Sequence, residues 1–106
     1  MKLKTIKAII TNDFYIPINR NVNITWQAGD IENVYLDDGE MQGTLKNTEL
    51  VKYFKEFIKP SKEEILEMLA EHMTRSVTGE LIKHNEVDSH GAPSWSSVYN
   101  MTPLVV

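Results

Sequence analysis

The densest gathering of chemically versatile side chains runs from His84 through Asn85, Glu86, Val87, Asp88 and Ser89 to His90. In an extended chain successive side chains alternate, so His84, Glu86, Asp88 and His90 fall on one face. Imidazole and carboxylate groups suit zinc and related divalent ions. The four positions would spread over about 20 Å of strand, so one ion reaches only adjacent members unless the chain bends. His84, Asp88 and His90 are the candidate metal ligands, and a metal-dependent enzyme built on them is one reading of function. The competing reading is a solvated polar face that runs into a loop.

Other groupings offer less chemistry. Glu71-His72 falls late in a predicted helix, where the dipole favours a histidine and a structural role comes before acid–base work. Three histidines are present, none beside a serine or cysteine in a nucleophile motif, so covalent catalysis has no starting point. Asp37, Asp38 and Glu40 concentrate charge at one turn. The spacing is not that of an EF-hand, and Asp and Gly are also what a hairpin turn requires. Gly29, Gly39 and Gly43 make no phosphate loop, because no Gly-Lys-Ser/Thr follows them. No cofactor is expected.

The aromatic side chains point to binding rather than catalysis. Trp95 lies in a Ser-rich stretch near Pro93, where an indole is either folded back on the domain or offered to a partner. Tryptophan and tyrosine commonly anchor protein interfaces. Trp95, Tyr99 and Tyr15, with the acidic pair Asp37 and Asp38, are the candidate partner-binding residues.

The elements that must position these groups follow from periodicity. Leu3 to Thr11 ends in a β-branched run and reads as one strand. Asn12-Asp13 is a turn, and Phe14 to Ile18 is extended around Pro17, which suits an edge. Val22 to Trp26 alternates, with Val22, Ile24 and Trp26 on one face. Gln27 to Asp30 is a turn, Ile31 to Leu36 a strand, Asp37-Asp38-Gly39 a tight turn, and Glu40 to Leu45 the returning arm. The period then changes to 3.6. Leu50, Val51, Phe54, Phe57 and Ile58 form an apolar helical stripe capped by Asn47 or Thr48 and stopped by Pro60. Ser61 and Glu64 make a capping box before Ile65, Leu66, Met68, Leu69 and Met73. The expectation is a helix pair over about 48–58 and 62–74. Residues 75–87 read as extended, with Val77, Leu81 and Val87 packing inward, and 88–97 as a loop. The tail 98–106 forms a last strand, docks on the sheet or is disordered in isolation.

The fold class expected is therefore α+β: a small antiparallel β-sheet or SH3-like barrel over residues 2–45, a helix pair and an extended C-terminal segment. At 106 residues the chain suits a single domain over 1–106. With no cysteine, disulfides and thiolate metal sites are excluded. No signal-peptide pattern is recognised, and no apolar run approaches the ~20 residues a membrane span needs, so a cytoplasmic, membrane-free location is expected. The net charge of −4 is uneven. Residues 1–26 carry four bases and one acid, +3; residues 60–106 carry seven acids and three bases, −4. That balance lacks the basic footprint of a nucleic-acid binder.

Ile6-Lys7-Ala8, Asp13-Phe14-Tyr15 and Trp26-Gln27-Ala28-Gly29-Asp30 lay out a strand, an aromatic pair and a Gly-Asp turn launching a further strand. Over residues 6–45 this resembles small phage- and prophage-encoded proteins with an SH3-like barrel. The resemblance implies an accessory or regulatory protein, such as a virion connector or an inhibitor of a host enzyme, and assigns no residue roles. Together these observations favour a non-catalytic protein-interaction module, an inhibitor or adaptor binding a host protein through an acidic surface. The alternatives are a homo-oligomeric assembly component and the metalloenzyme above.

Overall fold

The computed structural model describes residues 1–101, so the part of the tail expectation that concerns 102–106 lies outside the described residues. Within them the chain is α+β, with antiparallel sheets and short helices. Strand β1 (Lys2–Lys4) opens the chain, followed by β2 (Ile9–Ile10) and β3 (Tyr15–Ile16). Then come β4 (Asn21–Trp26), β5 (Asn33–Asp37) and β6 (Met41–Lys46). A 3-10 turn, Asn47–Glu49, leads into α1 (Leu50–Tyr53), and α2 spans Lys62–Ala70. A small hairpin of β7 (Thr74–Arg75) and β8 (Leu81–Ile82) and a last helix, α3 (Trp95–Val98), complete the order.

The main sheet has the order β1-β4-β5-β6, with β2–β3 and β7–β8 as separate two-stranded ribbons. It is open: β1 and β6 are its edges. The expected alternation of β4 is observed, since Val22, Ile24 and Trp26 are all buried. Val34 and Leu36 of β5 and Leu45 of β6 meet them across the sheet. The two turns of this meander follow from their residues. Gly29 takes φ 88° while the Asp30 amide bonds the Gln27 carbonyl at 3.1 Å. Gly39 takes φ 114°, its amide held by the Asp37 carboxylate at 2.7 Å. Both are left-handed positions that favour glycine.

The strand expected over Leu3–Thr11 is instead two strands in two sheets. Thr5 makes the corner. Its buried hydroxyl donates to the Pro17 carbonyl at 2.7 Å and accepts the Arg20 amide at 2.9 Å. The chain then turns away, and β2 pairs with β3 through Ile9↔Ile16 and Ile10↔Tyr15.

The first helix is shorter than its apolar stripe. The Tyr53 carbonyl, which the Phe57 amide would take in a continuing helix, accepts the Ile6 amide at 2.8 Å. Phe54 becomes extended at φ −135°, ψ 126°, and Phe57 turns back so that the two rings meet edge to face at 5.9 Å. Both phenylalanines still reach the core, but Ile58 is left 79 % exposed. Asn47 does not cap. It is buried, accepting the Trp26 indole N–H at 2.8 Å and donating to the Ile31 carbonyl at 2.7 Å.

Helix α2 starts as its capping residues dictate, with the Ser61 hydroxyl accepting the Glu64 amide at 3.2 Å. It ends at Ala70 rather than 74. The Met73 amide returns to the Met68 carbonyl and the His72 amide to the Leu69 carbonyl, each at 3.1 Å, with His72 at φ 61°. This is a Schellman ending with a non-glycine residue in the left-handed position.

Beyond it, Val77 is buried as expected, but Leu81 and Val87 are exposed. The register Thr74↔Ile82 turns Ile82 inward in place of Leu81. The C-terminal segment is not wholly extended either, because Ser94 caps α3 by accepting the Ser97 amide at 3.1 Å. One hydrophobic core gathers Ile9 and Ile16, the main sheet, Leu50, Phe54 and Phe57, Ile65 and Leu69, and Val77, Ala92 and Trp95.

Candidate partner-binding surface

The segment expected to carry metal chemistry is organised by two internal networks. Asp88 is nearly enclosed, and its carboxylate accepts the Thr78 hydroxyl, the His90 amide at 2.8 Å and the Ala92 amide at 2.9 Å. Burial alone would raise its pKa. Hydrogen bonds from Ser76, Thr78, Ala92 and His90 outweigh that, and the carboxyl lies below its ordinary value of 3.8. His84 belongs to the second network. Its Nδ1 is 2.8 Å from the Ser96 hydroxyl, and its carbonyl accepts the Ser94 and Ser97 hydroxyls, each at 2.6 Å. His90 lies beside Trp26, ring centroids 6.5 Å apart.

The three proposed ligands therefore occupy three settings: a serine cluster, a loop-closing carboxylate and an indole face. Among the described residues no three of His, Asp or Glu stand together as a metal-holding group. Ser96 is wholly buried, so its pairing with His84 holds α3 against the 82–85 segment rather than presenting a nucleophile to solvent.

The candidate contact residues separate as well. Trp95 takes the folded-back placement: it is 1 % exposed and stacks on Tyr99 at 5.8 Å with the rings 16° apart. It is a core residue, not a contact offered at the surface. Tyr99 is half-buried, with the Lys59 ammonium 4.7 Å from its ring centre. Tyr15 is 60 % exposed on the β2–β3 ribbon.

Asp37 and Asp38 border a hollow of about 630 Å³ with Lys2, Lys4, Asn21, Asn23 and Glu56. Asp38 is partly engaged there, 3.4 Å from Arg20 and bonded by Gln42 at 2.6 Å. A groove of about 510 Å³ lies between α2 and the β7–β8 turn. It is lined by apolar Ile58, Pro60, Met68, Val77 and Trp95, by Ser76 and Thr78, and by the charged Glu56, Glu64, Glu67, Lys59 and Arg75. The Arg75 guanidinium is turned onto the Gly79 carbonyl at 2.9 Å.

Glu56 lines both depressions. Asp37 and Asp38 share one of these linings with it and Glu64 and Glu67 the other, among the bases Lys2, Lys4, Lys59 and Arg75. Among the described residues the only ion pair within 4.0 Å is Arg20–Asp38, so the other four carboxylates are not neutralised by a paired base.

Sequence reasoning named Asp37 and Asp38 but met Glu64 only as a capping residue and missed Glu56, Glu67 and the exposure of Ile58. The positions of Glu56 and Ile58 depend on the early end of α1, and a helical reading placed Ile58 in the core. The signal for that early end was weak: Phe54 and Phe57 suit a turn, three residues apart, as well as a helix. The chain matches no family model, no curated protein and no solved structure.

Proposed function

We propose that this protein is a non-catalytic interaction module that docks on a basic surface of a partner protein through the band Asp37–Asp38–Glu56–Glu64–Glu67. The observation that carries this reading is Glu56, which lines both the hollow of Asp37 and Asp38 and the partly apolar groove of Glu64 and Glu67. Apolar contact supplies affinity in such interfaces, and the acidic rim supplies steering and discrimination. An inhibitor or adaptor that covers a partner's basic groove needs no reactive group of its own.

The likeness of residues 6–45 to phage-encoded SH3-like proteins points the same way, toward a host protein as the target and the cytoplasm as the place of action. Support for the SH3-like reading comes from the tight β4–β6 meander and from Phe14, whose ring lies over Gly43 of β6.

Affinity capture from host lysate tests the proposal, comparing the wild-type chain with the charge-reversed variant Glu56→Lys/Glu64→Lys/Glu67→Lys. One stoichiometric partner, retained by the wild type and lost by the variant, is expected. Equal capture by both overturns the acidic band as the docking surface.

A further inference from the structure

A third cavity differs in charge from the two depressions already described. Those are lined by three acids each: Glu56, Glu64 and Glu67 in one, Asp37, Asp38 and Glu56 in the other. The third has a volume of about 480 Å³, a size that suits a small molecule. Its polar lining is Lys59, Lys62, Tyr99 and Asn100, and its apolar lining is Pro60, Ile65 and Met101. No carboxylate lines it, although the chain carries 15 acids against 11 bases. Glu63 and Glu64, which follow Lys62, stay out of the lining. Glu64 is drawn back to the helix cap, its Oε1 accepting the Ser61 hydroxyl at 3.2 Å.

The polar groups are held by the ends of two helices. Helix α3 closes in a Schellman ending: the Met101 amide returns to the Ser96 carbonyl at 2.8 Å and the Asn100 amide to the Ser97 carbonyl at 3.1 Å. Asn100 takes the left-handed position at φ 54°. Tyr99 stacks on the buried Trp95, so the core sets the place of its ring. The Lys59 ammonium lies 4.7 Å from the centre of that ring, a contact that keeps its charge at the cavity. Lys62 is the first residue of α2, where the positive end of the helix dipole adds to the field. Neither lysine forms an ion pair within 4.0 Å among the described residues.

We propose that this cavity binds a small organic anion, a carboxylate or phosphate carried on a compact apolar body. Lys59 and Lys62 meet the charge, and Pro60, Ile65 and Met101 take the body. The Tyr99 hydroxyl and the Asn100 amide supply further donors for the anion's oxygens. Two ammonium groups without an acid disfavour a cation, and an uncharged ligand gains nothing from them. None of Asp37, Asp38, Glu56, Glu64 and Glu67 lines the cavity, so the site is tested with no partner protein present.

Titration of isotope-labelled protein with benzoate and with phenyl phosphate at constant ionic strength, followed by amide chemical shifts, tests the proposal. Saturable shifts centred on Lys59, Tyr99, Asn100 and Met101 are expected, with half-saturation on the order of 1 mM for at least one probe. The tighter probe assigns the headgroup as carboxylate or phosphate. Benzyl alcohol and benzylamine, which carry the same ring, should bind at least about tenfold more weakly. Lys59→Gln/Lys62→Gln should weaken the anion about tenfold, and Lys62→Gln alone, which keeps the Lys59–Tyr99 contact, about threefold. Lys52→Gln/Lys55→Gln makes the same change of net charge away from the cavity and should leave binding unchanged. The spectra themselves report that each variant is folded. No saturable shift from either anion up to about 20 mM overturns the proposal, as it would if residues 102–106 filled the cavity. So does equal binding of benzyl alcohol, or a loss in Lys52→Gln/Lys55→Gln as large as in Lys59→Gln/Lys62→Gln.

Discussion

At the scale of single residues, Asp88 shows how a chemically suggestive side chain is used up by structure. His84, Asp88 and His90 were legible as ligand types, but which donors would surround them was not. Those donors come from Ser76 and Thr78 in the β7–β8 turn and Ser96 on α3, none of which sequence periodicity could bring near. The Asp88 pKa is depressed in the folded chain. Its carboxylate therefore adds stability that is fully present above its ordinary value of 3.8 and is lost as pH falls through the lower folded value. Asp88→Asn keeps an oxygen for the His90 and Ala92 amides but loses the charge. It should cost about 1–2 kcal/mol at pH 7, and the gap to wild type should narrow as pH falls below 3.8. Urea denaturation on either side of that value checks this. An equal gap at the two pH values would show that the charge contributes nothing.

At the scale of elements, strands with clean alternation were readable and ends set by distant partners were not. β4 and β5 carry their pattern in adjacent residues, and the Gly29 and Gly39 turns declare themselves. The end of α1 depends on the Ile6 amide, 47 residues away in sequence, and the split of the first strand depends on the Thr5 hydroxyl. The end of α2 hid for another reason, since its left-handed position holds His72 rather than glycine. His72→Gly should therefore stabilise the protein by about 0.5–1 kcal/mol, read as a raised Tm. A lowered Tm would mean that the imidazole makes compensating contacts. Gly43 sets a second test. A Cβ there would lie 2.6 Å from the Phe14 ring. Gly43→Ala should cost about 1–3 kcal/mol, and most of that cost should vanish in a Phe14→Ala background. Additive effects in the double-mutant cycle would separate the ribbon tip from β6.

At the scale of the whole molecule, charge is unevenly divided. The N-terminal excess of bases and the C-terminal excess of acids were visible in the sequence. How the acids group was not, because Glu56 comes to line both depressions only once α1 stops early and the chain turns at Phe54–Phe57. The same turn exposes Ile58 at the groove. The central claim is that this band steers and seats a basic partner, and rates test it better than affinity does. Rim charges act mainly on association and on its salt dependence. The deciding measurement is the association rate with the captured partner between about 50 and 500 mM salt, for wild type and for Glu56→Gln/Glu64→Gln/Glu67→Gln. The wild-type rate should fall by about tenfold or more across that range, and the variant should start slow and change little. A wild-type rate indifferent to salt and equal to the variant's would contradict the acidic band as the docking surface.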